Sequence, residues 1–268
     1  MNLFTNKLLI TLGLVLLSTH GYANSLTAYE IMKRSDDRYV GDTFNQKLTM
    51  IFIDRHNKKR TRTLTRIGLN NEEVEKSVST FLSPADVKNS AFLSYTWEDK
   101  TKEDVSWLYL PALKKVKRIP AGDKSDLFLG SDFTYSDIEG VEIDDYEYRI
   151  IENSVLVDGE ECWVIERTPK KSVEDLVIRN TGYSKYQLWI RKKDYVPAKT
   201  KSWFKGNKVK YYKATDIKLI KNISTPQKMQ MVTTQKGKAI HRTLLILTNT
   251  EYNIDIDESS LSISNLGE

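Results

Sequence analysis

From Phe44 onward the hydrophobic period of this chain is two, and it holds nearly to the C-terminus, which leaves little room for anything but a large antiparallel sheet. Phe44, Leu48, Met50 and Phe52 share one face, while Asn45, Lys47 and Thr49 take the other. Asp54-Arg55-His56-Asn57-Lys58 is a polar turn. The chain then returns over 60–67, with Thr61, Thr63 and Thr65 on one side and Arg60, Arg62, Leu64 and Arg66 on the other. Three arginines on one strand face read as a solvated sheet face, since exposed faces of antiparallel sheets are commonly polar. Further strands are expected at 78–82, 90–97, 107–110, 116–119, 146–156, 160–168, 183–191, 196–204, 208–220, 229–234 and 239–247, with tight turns at Val157-Asp158-Gly159, Gly206-Asn207 and Lys236-Gly237. At least ten strands in successive hairpins, without a Pro/Gly/Ser linker, predict one domain over 24–268. Its fold is mainly β, of the α+β kind: a single strongly curved antiparallel sheet with an apolar cavity inside the curve.

Three stretches depart from the period. Leu26-Thr27-Ala28-Tyr29-Glu30-Ile31 has the signature of a helix start, with Thr27 and Glu30 as a capping box and Leu26 and Ile31 as a hydrophobic staple. Ala28, Ile31, Met32, Ser35 and Tyr39 then share one helical face, and Gly41 provides the stop. Ser83-Pro84-Ala85-Asp86 is expected as one turn of helix, capped by Ser83. Residues 121–140 carry Gly122, Gly130 and Gly140 and four aspartates among Leu127, Phe128, Leu129, Phe133 and Tyr135. So long a stretch without strand alternation inside a compact domain predicts a functional loop acting as a lid. A short turn or helical piece at 257–266 is expected to pack on the end of the sheet.

Ahead of the domain, Lys7 precedes the apolar run 8–17, and Gly21 and Ala23 stand where a signal peptidase cuts, so 1–23 is expected to be a cleaved signal peptide. The run is shorter than a membrane-spanning helix requires, and no cysteine follows it to take a lipid anchor. The net charge of +5 is mild for 268 residues and comes with no recognition module, which argues against nucleic acid as a partner. Cys162 is the one cysteine and reads as a small buried hydrophobe beside Trp163.

Catalytic groupings are missing. His20 leaves with the signal, His56 sits in a charged turn, and His241 lies beside Arg242 without a sequence partner that would make it a base. No nucleophile elbow, zinc-protease helix or phosphate loop occurs, the aspartates of 121–140 lack the calcium-loop order, and acid pairs such as Asp144-Asp145 fall in turns. The expectation is a protein that is not an enzyme and uses no cofactor and no metal.

Aromatic density is the remaining signal, and it concentrates in 81–138. Phe92, Tyr95, Trp97, Trp107, Tyr109, Phe128, Phe133 and Tyr135, with Trp189 and Trp203 further on, are the candidates for lining an apolar cavity or its lid. Alternation places Leu93, Tyr95 and Trp97 on one face and Phe92, Ser94 and Thr96 on the other, without deciding which face looks inward.

The runs FLSPADVKNSAFLSYTW, WLYLPALKKVKRI and GSDFTYSDI, and the later YQLWIRKKDYVPAKTKSWFKGNKVKYYKATDIKLI, resemble the outer membrane lipoprotein-sorting protein family, the LolA-like proteins, over essentially all of the chain after the signal. The resemblance implies a half-open barrel of about eleven strands closed by helices. It implies a monomeric, soluble periplasmic carrier that holds acyl chains of a lipid or lipoprotein, with an RND-type inner-membrane exporter or an outer-membrane acceptor as membrane partner. In the family's lipoprotein carrier a strand arginine latches a helical lid. Arg60, Arg62 and Arg66 lie on an early strand, and none is matched to that role. A ligand-free docking or adaptor module of an exporter or envelope complex, built on the same barrel, is the competing reading.

Overall fold

The computed structural model describes residues 25–267; the expected signal peptide, 1–23, lies outside them. Thirteen strands form one sheet. They are β1 (Thr43–Asp54), β2 (Lys59–Asn70), β3 (Val74–Ser83), β4 (Ala91–Trp97), β5 (Val105–Leu110), β6 (Lys115–Ile119), β7 (Tyr146–Val157), β8 (Glu160–Pro169), β9 (Tyr183–Arg191), β10 (Pro197–Phe204), β11 (Lys208–Ile220), β12 (Ile223–Gln235) and β13 (Lys238–Tyr252). Their order across the sheet is β6-β5-β4-β3-β2-β1-β13-β12-β11-β10-β9-β8-β7, and every pairing is antiparallel. The expected curved, open antiparallel sheet is what forms, with two strands more than the resemblance implies.

This order has a topological consequence. Strands β6 and β7 follow one another in the chain but are the two opposite edges of the sheet. The stretch between them, 120–145, therefore has to travel from one edge to the other. It does so across the concave face, as short 3-10 turns at Ala121–Asp123, Phe128–Gly130 and Ile143–Asp145 and the helix α2 (Tyr135–Glu139). α2 carries its own capping box, Thr134 with Asp137.

The register identifies the concave face. Leu48 pairs with Leu64 on one side and Leu247 on the other, and Met50 with Arg62 and Leu245. These side chains and Phe52, Phe81, Phe92, Leu108 and Met231 pack against Phe128, Phe133 and Tyr135 of the crossing segment as the largest core cluster. Gly68 sits opposite Phe44 in this register, and a Cβ there would fall 2.2 Å from the Phe44 ring, so the position needs glycine.

An N-terminal helix, α1 (Ala28–Asp36), has the expected capping box and buries Ala28, Ile31, Met32 and Ser35 against the β7 to β10 half of the sheet. The helix stops five residues before Gly41, and Tyr39 is exposed rather than part of the buried stripe. Ser83 does not cap a helix: it is the last residue of β3, pairing with Thr63, and 84–89 form turns. A helix that the period did not announce, α3 (Glu174–Thr181), connects β8 to β9 and ends at Gly182, whose positive φ provides the left-handed cap. On the other side of the sheet, Leu261 and Leu266 of the C-terminal segment cover Val78, Ala91 and Leu93. Among the described residues no helix is long and apolar enough to cross a membrane.

Candidate functional site

Between the crossing segment and the concave face lies a cavity of about 700 Å³, within the range of small-molecule sites. One wall is apolar, built by Leu48, Met50, Leu64, Met231, Leu245 and Leu247 from four adjacent strands, with Phe128 and Phe133 reaching in from the crossing segment. These positions are apolar because strand alternation delivers every second residue of β1, β2, β12 and β13 to the same face. Toward the mouth the lining becomes charged, with Arg38, Lys100, Asp104 and Glu142 among its residues.

Of the ten aromatic candidates, the structure places Phe128, Phe133 and Trp97 on this cavity. Phe92 and Tyr135 lie beneath them, each with its ring centroid 5.3 Å from the other and within 5.5 Å of that of Phe128. The other five are elsewhere. Tyr95, Trp107 and Tyr109 pack on the convex face under the C-terminal segment, where the Tyr95 hydroxyl donates to the Leu261 carbonyl. Trp189 and Trp203 also point outward, because their neighbours Leu188 and Ser202 face the cavity; their rings lie under Lys199 and Lys201, each ammonium 4.7 Å from the centroid. The alternation of β4 is thus resolved: the Phe92 face looks inward and the Leu93–Tyr95 face outward, and Trp97, packed edge-on against Tyr95 on that outward face, meets the cavity only at the strand's end, beside Thr96 and Glu98.

The polar residues holding the crossing segment were not among those candidates. Arg62 faces inward, not to solvent: it is half-buried, its Nη1 donates to the Leu129 carbonyl at 2.7 Å, and its guanidinium lies 4.9 Å from the Phe52 ring centroid. Arg66 likewise sits 4.9 Å from the Phe44 centroid and pairs with Glu75 at 3.5 Å. Asp132 is 2% exposed and is held on all sides: Thr233 and Thr243 donate their hydroxyls to its carboxylate, and His241 Nδ1 lies 2.7 Å from it. His241 thus has the carboxylate partner that its own strand lacks, contributed by a segment more than a hundred residues away. Lys210, fully buried, donates to the Asp132 carbonyl at 2.7 Å and lies 3.9 Å from the Asp137 carboxylate, which also accepts from the Tyr183 hydroxyl. Burial pulls the Lys210 ammonium down to about 8, against the pull of Asp137 and Asp132. The same burial, with Asp137 nearby, pushes the Tyr183 phenol well above its ordinary range. Lys124 pairs with Glu139 at 2.7 Å within the segment itself.

These contacts form a polar latch of side chains from β2, β9, β11, β12 and β13 on a segment whose aromatics seal the cavity. Nothing in it aligns a base with a nucleophile, and no cluster of three potential metal ligands occurs among the described residues. Cys162 is fully buried among Val157, Ala198 and Trp189.

No curated protein matches the chain significantly. Among solved structures it is similar to a domain ascribed to outer membrane lipoprotein sorting from Vibrio parahaemolyticus, at 26% identity and a TM-score of 0.78, over 90% of this chain and 98% of that one. A DUF1329 family protein from Desulfovibrio piger superposes with a TM-score of 0.78 at 24% identity, over 89% of this chain and 97% of that one. A LolA superfamily protein from Nitrosomonas europaea has the same fold, with a TM-score of 0.66 at 18% identity, over 90% of this chain and all of that one. A family model described as "Uncharacterized protein"-like matches residues 73–268. The chain belongs to the family of that model, and its architecture is the one seen in the outer membrane lipoprotein-sorting domain and the LolA superfamily protein.

Proposed function

We propose that the protein is a periplasmic carrier that takes the acyl chains of a lipid or lipoprotein into the cavity and moves them between an inner-membrane exporter and the outer membrane. The observation that carries this reading is a cavity of about 700 Å³ with an apolar wall, covered on one side by a separate segment that is held partly by apolar contacts and partly by a polar latch. Acyl chains enter such a site with about 0.8 kcal/mol gained per buried methylene. A cargo held that way leaves only if the site can open. A segment fastened by a few hydrogen bonds, rather than by sheet pairing, provides an opening of modest cost.

The test is uptake. Delipidated protein is expected to bind a fluorescent fatty acid saturably, and Phe133→Asp, which places a charge in the cavity lining, is expected to weaken uptake at least about tenfold, the effect of burying one unpaired charge. Native mass spectrometry of protein released gently from periplasm should show adducts of lipid mass. Bare protein in every preparation, with no uptake by a folded sample, would overturn the carrier reading and leave the docking-module reading in its place.

A further inference from the structure

The cavity wall formed by β8, β9 and β10 differs from the rest. Arg167 of β8 pairs in register with Tyr186 of β9, which pairs with Ser202 of β10, and all three line the cavity. Arg167 is only 9% exposed. Its guanidinium carbon lies 3.8 Å from the Tyr186 ring centroid and 4.6 Å from that of Tyr146.

Buried charges are ordinarily paired, because an uncompensated one costs several kcal/mol. The other ionised groups in the inner lining have partners: Glu139 has Lys124, Glu142 has Lys100, Arg66 has Glu75, and Asp137 has Lys210 and Tyr183. At the mouth four have none: Asp36 and Glu98 are exposed, and the half-buried Arg38 and Asp104 are hydrogen-bonded to the Ser35 carbonyl and the Trp97 amide. The Glu139 side chain is buried too but has Lys124, whereas no carboxylate among the described residues lies within 4 Å of the buried Arg167. Its Nε is buried without a hydrogen-bond partner, and so is the hydroxyl of the adjoining Tyr146. Two tyrosine faces, and the nearby hydroxyls of Tyr186 and Tyr148, soften the isolation of the cation, but all are neutral and none balances its charge.

We propose that Arg167 is an anion site built into the cavity, and that it receives the head of the cargo: a carboxylate or phosphate attached to the acyl chain. The proposal rests on the carrier reading and specifies its cargo. A guanidinium presents paired donors that match both anions, and in a buried site such a bond is charge-assisted. The cavity then has a direction, with the tail toward Leu48, Met50, Leu245 and Leu247 and the head at Arg167 beside Tyr186.

Decanoate, decyl phosphate and decanol share a chain and differ only in the head. Binding of the three to delipidated wild-type protein, below their critical micelle concentrations, is expected to favour the anions over the alcohol by at least about tenfold. Arg167→Gln should abolish that preference while keeping the decanol affinity, and Arg167→Lys should reduce it without abolishing it. Decyl phosphate ahead of decanoate would indicate a phospholipid-type head, and the reverse a free fatty acid. Decanol binding as tightly as the anions in wild type would overturn the anion site and leave the carrier intact. A preference that survives in Arg167→Gln would also overturn it. If none of the three binds, the carrier reading falls and the anion site with it. Near-UV circular dichroism of each variant checks the fold. Should Arg167→Gln not fold, the wild-type series and Arg167→Lys still decide, because a structural arginine gives no preference between heads.

Discussion

Arg62 shows what one side chain contributes to closure. Its bond to the Leu129 carbonyl joins β2 to the crossing segment, and its stem and guanidinium cover Phe52 and Phe81. Arg62→Met keeps the stem and removes the bond. It should cost about 1.5–3 kcal/mol, as for a hydrogen bond to a charged donor, and raise amide exchange in 127–133 relative to the strands. Unchanged protection of that segment would show that the bond does not hold it. Gly68→Ala should be worse placed, because its methyl would enter the Phe44 ring; a loss of about 1–3 kcal/mol in denaturant unfolding is expected from overpacking. At this scale the sequence showed that Arg60, Arg62 and Arg66 share a side with Leu64, but not what that side faces. A single strand's period sorts residues into two faces, and only the neighbouring strands and the segment above assign one of them to the interior.

The crossing segment is the element that most depends on charge. Burial holds Lys210 at about 8 in the folded protein, below its ordinary 10.5. Between those values the unfolded chain carries a proton that the folded protein has already released, so stability rises with pH through that window, by up to about 1.4 kcal/mol per pH unit. Below pH 8 both states are protonated and the cost of the buried charge is constant. Urea unfolding at pH 8.0, 8.75 and 9.5 should show the rise in wild type and its absence in Lys210→Met. Equal slopes in the two proteins would sink the assignment. The range stops short of 10, where Tyr183 and Tyr186, held neutral by burial, contribute in the opposite sense. This segment stood out in the sequence through the loss of alternation and its glycines. Its latch did not, because Asp132, His241 and Lys210 are separated by up to about a hundred residues and meet only across the sheet. The helix α3 had signals that alternation hid: Glu174 and Asp175 in its first turn, Arg179 near its end and Gly182 as its stop.

For the whole molecule, the pairing of β1 with β13 makes the first and last strands neighbours at the centre of the sheet. Removing 257–267 should therefore leave the sheet folded but uncover Val78, Ala91 and Leu93 on the convex face. The expected result is a lower unfolding midpoint and binding of an apolar dye, with fatty-acid uptake retained because the cavity is on the other side. Loss of uptake in a folded truncation would mean that the convex cover supports the cavity. Tyr95, Trp107 and Tyr109 lie under that cover and not on the cavity wall, although they occupy the same aromatic-rich stretch as Phe92 and Phe128.

By itself the sequence determined that this protein is a single curved antiparallel sheet with a helix before it and one irregular segment inside it. Those properties follow from local periodicity, turn residues and capping pairs, which act over a few neighbours. Tertiary structure alone decided which face of the sheet is concave. It also put 120–145 across that face, since β6 and β7 are opposite edges that the chain must connect. The gathering of Arg62, Asp132, His241 and Lys210 around that segment, and the burial of Arg167 among tyrosines, depend on the same long-range pairing. No period of two or 3.6 encodes it.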